Sequence, residues 1–118
     1  MKVLSIEQMT KLKELGVDVS PKEDCLMYSA VGGDSKLMYG QSVCEDDMKA
    51  FSLQDVIELL PYTFNNNYLR IYRSISIYYF IYENMNIEDD ILEKGRNSLD
   101  AAYNMLIWVI ENGHLKTK

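Results

Sequence analysis

The stretch Asn97–Gly113, NSLDAAYNMLIWVIENG, constrains the fold of this 118-residue chain more than any other. Asn97 is placed to cap the first amides of a helix, Asp100 follows three residues on, and Gly113 supplies a left-handed exit. Leu99, Ala102, Leu106, Val109 and Ile110 recur at helical spacing, so one face has to be covered by another element. The middle of the chain holds the strand material for that cover.

The same grammar opens the chain. Ser5 and Gln8 fit a capping box, Leu4 and Met9 a hydrophobic staple, and Gly16 a helix stop. Ile6, Met9 and Leu12 step along one face, with Glu7 and Lys11 as an i,i+4 pair. Two strands, Cys25–Val31 and Lys36–Val43, flank the turn Gly32-Gly33-Asp34-Ser35 and read as a hairpin. A second helix follows Ser52, with Val56, Leu59 and Leu60 as its stripe and Pro61 as its limit. Tyr68–Tyr82 alternates apolar and other residues with period two and is read as a second hairpin turning near Arg73-Ser74. Asn86–Gly95 reads as a short helix, with Asn86 as cap, Glu88, Asp89 and Asp90 at the positive end and Lys94 at the negative one. The order is α-β-β-α-β-β-α-α. It predicts one α+β domain over residues 1–118: an antiparallel sheet of about four strands in two hairpins, with helices on one face.

Composition removes several function classes. Asp and Glu outnumber Lys and Arg 18 to 12, a formal charge of −6, which disfavours nucleic acid and anionic membranes as partners. The longest nearly unbroken apolar run, Ile75–Tyr82, is far short of the ~20 residues that a spanning helix requires. Polar Glu7, Gln8, Lys11 and Lys13 interrupt the N-terminal stretch, so it is not read as a secretory signal and a cytoplasmic location is expected. In a reducing compartment Cys25 and Cys44 are expected as thiols instead of a disulfide.

No constellation in the sequence carries a chemistry, and no catalytic, cofactor-binding or metal-binding residue is assigned. His114, the only histidine, follows a helix end that favours a cation anyway, and no Cys-x-x-Cys frame accompanies it. Glu45-Asp46-Asp47 and Glu88-Asp89-Asp90 lack the alternate spacing of a cation loop and read as solvated charge or capping. The corner Gly95-Arg96-Asn97 has the short turn of a helix-turn-helix, but no Lys or Arg lies between Arg96 and Lys116 to meet phosphate. It reads as a packing corner.

The aromatic residues of the second hairpin are the least ordinary feature. If Ile75, Ile77, Tyr79 and Ile81 face the helices, Tyr78, Phe80 and Tyr82 share the outer face, joined across the hairpin by Tyr68, Arg70 and Tyr72. Tyr, Phe and Arg are enriched where surfaces bind. These six are the candidate partner-binding residues of a non-enzymatic interaction protein, one that self-associates or captures a protein partner. Two alternatives stay open: a small-molecule enzyme using His114 with nearby carboxylates, and a weak single-stranded nucleic-acid binder stacking bases on this face beside Arg70 and Arg73.

FSLQDVIELLP (Phe51–Pro61) and AAYNMLIWVIENGHL (Ala101–Leu115) resemble a family of small uncharacterised proteins from gut bacteria and their phages. Its members also open on a Leu-Ser-Ile-Glu-Gln-Met helix followed by Lys-Glu-Leu-Gly-Val-Asp, as Leu4–Asp18 do here. The resemblance spans about half the chain. It implies an accessory, mobile-element origin and no activity, cofactor or site residue.

Overall fold

The computed structural model describes residues 2–29, 36–42, 47–65, 67–73, 75, 77–84, 91–95 and 97–115. It contains α1 (Ile6–Glu14), β1 (Cys25–Ser29), β2 (Lys36–Gly40), β3 (Met48–Lys49), α2 (Leu53–Leu59), β4 (Thr63–Phe64), β5 (Asn67–Arg73), β6 (Tyr78–Asn84), β7 (Ile91–Gly95) and α3 (Ser98–Glu111). The class is α+β, and both expected hairpins are present. The strands are divided between two antiparallel sheets, of order β2-β1-β3 and β4-β5-β6-β7, where one sheet of about four strands was expected. The chain separates into two units, one built on Val3–Ser52 and one on Leu53–Lys116.

The first unit begins with the expected capping box. Gln8 N–H donates to Ser5 Oγ at 3.2 Å, and Ser5 N–H donates back to Gln8 Oε1 at 2.9 Å. Gly16 leaves the helix at φ +93°, the left-handed region where a side chain is strained. Met9 and Leu12 are fully buried on the inner face of α1. The amide of Leu4 donates to Phe51 O at 2.9 Å, and Val3 bridges Ser52, so the ends of this unit are tied together. Tyr28 in β1 donates its hydroxyl to Leu4 O at 2.7 Å; burial pushes its pKa up, with a smaller push from Glu7. Asp47 corrects the expectation of a fully solvated acidic run: it is 3% exposed and accepts from Ser42 Oγ at 3.1 Å. Its neighbours Glu45 and Asp46, the second triplet Glu88–Asp90, the turn Gly32–Ser35 and Cys44 lie outside the described residues.

In the second unit α3 lies on β6 and β7 and also meets α2. All five expected stripe residues are buried, and Ala101 and Met105 are buried with them. Asn97 caps as expected: its Oδ1 accepts from Asp100 N–H at 2.9 Å, and its Nδ2 donates to Asp100 Oδ2 at 2.9 Å. Asn97→Ala is expected to lower stability by about 1 kcal/mol in chemical denaturation, while Asn97→Ser recovers most of the loss.

Residues 91–95 correct the expected short helix. They form an edge strand in which Ile91 pairs with Tyr82 and Gly95 with Tyr78. Local helix signals over so few residues are weak against nucleation cost, and a ready sheet edge satisfies the same backbone groups. The corner at residues 95–97 therefore joins a strand to a helix.

Candidate functional site

The antiparallel register decides which side chains share a face. In β5 and β6, Leu69 lies opposite Tyr82, Ile71 opposite Phe80, and Arg73 opposite Tyr78. The other face pairs Tyr68 with Glu83, Arg70 with Ile81, and Tyr72 with Tyr79. The six candidate residues thus fall on two faces. Phe80 and Tyr82 have no accessible surface, and Tyr78 is half-buried. Tyr82 donates its hydroxyl to Pro61 O at 2.7 Å, and burial drives its pKa far up.

This overturns the expected orientation: β6 turns Phe80 and Tyr82 fully inward and leaves Tyr79 and Ile81, like Ile77 just before the strand, only half-buried. The physical reason lies in the loop. For Tyr68, Arg70 and Tyr72 to share a face with Tyr78, Phe80 and Tyr82, the loop must contain an odd number of residues. Arg73 pairs with Tyr78, leaving the four residues 74–77 between them, so the two sets alternate.

Tyr68, Arg70 and Tyr72 do lie on the outer face of β5, all exposed. Tyr72 donates its hydroxyl to Glu83 Oε1 at 2.6 Å, and Arg70 Nε stands 3.7 Å from Glu83 Oε2. Such a solvated pair orders side chains more than it stabilises the fold. Arg73 Cζ sits 5.6 Å from the centre of the Tyr78 ring on the opposite face.

The edge of β5 is the more informative feature. β4 pairs with β5 only through Thr63–Tyr68 and Phe64–Asn67, and Leu69 N–H then donates to Tyr62 O at 2.9 Å. That bond fixes the backbone of the odd-numbered residues as pointing away from β6, so Ile71 and Arg73 direct their amides and carbonyls outward. No strand among the described residues meets them there. Large apolar side chains cluster along the same edge: Tyr62 is 69% exposed, Ile71 49%, and Ile75 in the turn 99%. A hollow of about 600 Å³ wraps the edge, lined by Tyr62, Leu69, Arg70, Ile71, Tyr72 and Glu83. Sequence reasoning missed Tyr62 and Ile71. The two-residue length of β4 is what exposes them, and so short a strand leaves no periodicity to read.

His114 is stacked instead of solvated. Its ring lies 4.1 Å from that of Phe64 at 18° and 5.5 Å from that of Trp108 at 23°, while Phe64 meets Tyr82 edge-on at 4.6 Å. Its backbone N–H donates to Val109 O at 3.0 Å, closing the helix end. The described hydrogen bonds and ion pairs give its side chain no carboxylate. The arrangement anchors the chain beyond α3 to β4, an arrangement suited to packing. Among the described residues no three His, Cys, Asp or Glu side chains converge as metal ligands. No helix among them is long and apolar enough to cross a membrane.

The geometry defines an α+β protein with an open, aromatic-flanked sheet edge. The chain matches no protein-family model, no curated protein and no solved structure.

Proposed function

We propose that this protein is a non-enzymatic interaction module that self-associates by pairing the β5 edge of one copy with that of a second. The observation that carries the reading is the edge at Ile71 and Arg73, which no strand among the described residues meets, set among exposed Tyr62, Tyr68, Ile71 and Tyr72. Edges of this kind are where chains add strands, unless charge, proline or a covering segment blocks them.

A second copy fits the edge for a reason of register. Antiparallel pairing about a two-fold axis at Tyr72 sets Tyr72 against its own counterpart and Ile71 against Arg73, so the open positions of the two edges meet each other while the place opposite Leu69 stays with Tyr62. The Arg73 guanidinium then lies against the aliphatic side chain of Ile71, and no like charges face each other directly. The net charge of −6 on each copy opposes approach at long range, so added salt strengthens this association.

Light scattering across a dilution series tests the proposal. The wild-type chain is expected to pass from dimer to monomer on dilution, and Ile71→Lys to weaken the dimer by at least about tenfold with thermal unfolding unchanged. β2 offers a competing edge, with Leu37 47%, Met38 43% and Tyr39 69% exposed. A monomer at all concentrations, or a dimer abolished by Met38→Lys and untouched by Ile71→Lys, overturns the assignment.

A further inference from the structure

β7 forms the far edge of the second sheet, and its inner face runs beneath α3. Glu93 lies on that face, in register with Phe80. With Tyr103, Asn104, Ile107, Trp108 and Glu111 of α3, it lines a shallow hollow of about 280 Å³. The hollow collects two carboxylates, two aromatic rings and an amide, and among the described residues no basic side chain lines it. Among the described residues neither carboxylate has an ion-pair or hydrogen-bond partner. Asn104 is already committed through Nδ2, which donates to Lys94 O at 3.0 Å and so ties α3 to β7 beside the hollow.

Burial raises the pKa of Glu93, and Tyr103 is raised by burial and by the charge of Glu111. Burial disfavours the charged form of Glu93, and Glu111 adds a negative charge beside Tyr103; a cation bound between them would offset both. Two carboxylates are too few for Ca²⁺, which takes about 6–8 oxygens, and aromatic rings offer a hard ion nothing. A soft, weakly hydrated cation is different: it loses little on leaving water, and its alkyl groups gain from ring faces while the carboxylates supply counter-charge.

We propose that this hollow binds an alkylammonium ion, with Trp108 and Tyr103 contributing the aromatic walls and Glu93 and Glu111 the counter-charge. The site is separate from the β5 edge and does not depend on self-association.

Trp108 is the only tryptophan in the chain and so reports directly on the site. Choline added to the full-length protein is expected to change its fluorescence saturably, with a Kd near about 1 mM. The neutral isostere 3,3-dimethyl-1-butanol and an equal concentration of NaCl are expected to leave it unchanged. Glu93→Gln and Glu111→Gln should each weaken binding by about 3–10-fold with thermal unfolding retained. Trp108→Leu, followed through the choline methyl resonance, should weaken it similarly. A trimethyl-lysine peptide run beside choline separates the sources, since tighter peptide binding places the cation on a partner's side chain and tighter choline binding makes it a free ion; either supports the site. The proposal is overturned by no saturable change up to about 50 mM choline, a range fifty times the expected Kd. An equal response to the neutral isostere, or unaltered binding in the Glu93→Gln, Glu111→Gln double variant, overturns it as well.

Discussion

Phe80→Ala is expected to lower the stability of the protein by about 3–5 kcal/mol, the usual cost of emptying a fully enclosed phenylalanine site. That is a large share of the ~5–15 kcal/mol by which a native domain exceeds its unfolded chain. Tyr72→Ser, on the opposite face of the same hairpin, is expected to stay within about 1 kcal/mol. The contrast follows from register alone. Phe80 has no accessible surface and lies on the face that α3 covers, whereas Tyr72 is 45% exposed and donates its hydroxyl to Glu83. Urea titrations of the two variants and the wild type settle the matter. Equal midpoint shifts, or a larger shift for Tyr72→Ser, would falsify the inward placement of the β6 aromatics. The slopes of the titrations should agree, since neither substitution alters the surface exposed on unfolding enough to change them.

The elements that could be read from the sequence are those whose signals are local. The Ser5–Gln8 box, the Asn97 cap and the glycine exits at Gly16 and Gly113 depend on side chains a few residues apart, and each has the geometry its spacing implies. The stripe of α3 was legible for the same reason, because helical periodicity persists over four turns. The orientation of β6 was not. Its two faces carry Ile77, Tyr79 and Ile81 on one side and Tyr78, Phe80 and Tyr82 on the other, both apolar enough to be inside. Alternation then shows that there are two faces without saying which is covered. The parity of the loop at residues 74–77 decides that, together with a third strand that the sequence presents as helix. Arg70 held a usable clue. A charged side chain in the middle of β5 marks its face as the solvated one, and with an even loop Ile81 goes with it. The candidate site followed the same division: Tyr68, Arg70 and Tyr72 were found, whereas Tyr62 and Ile71 become visible only once β4 stops short.

Gly95→Ala is expected to be nearly as damaging as the loss of Phe80, although it adds a single methyl group. A Cβ built on Gly95 falls 2.6 Å from the backbone nitrogen of Ala101 and 3.0 Å from the carbonyl carbon of Asp100. Both are main-chain atoms in the first turn of α3, so no rotamer change can make room. Either β7 or the start of the helix has to move. Movement of the helix strains the Asn97 cap, whose bonds to Asp100 are both 2.9 Å. Movement of β7 loosens its pairing at Tyr78, where Gly95 lies in register. Overpacking of this kind costs about 1–3 kcal/mol, and an obstacle made of backbone belongs at the upper end. For a chain of this length the midpoint of thermal unfolding should fall by roughly 4 °C for each kcal/mol lost. Gly95→Ser, with a slightly larger side chain at the same point, should fall at least as far. Gly113→Ala supplies the control: nothing lies within 4 Å of a Cβ there, so its cost comes from φ +75° alone. That strain amounts to about 1–2 kcal/mol. A Gly95→Ala variant as stable as the wild type would mean that α3 does not rest on β7 where the register places it. The wall of the cation hollow at Glu93 would then be misplaced with it, because Glu93 and Gly95 are fixed to the helix by the same strand.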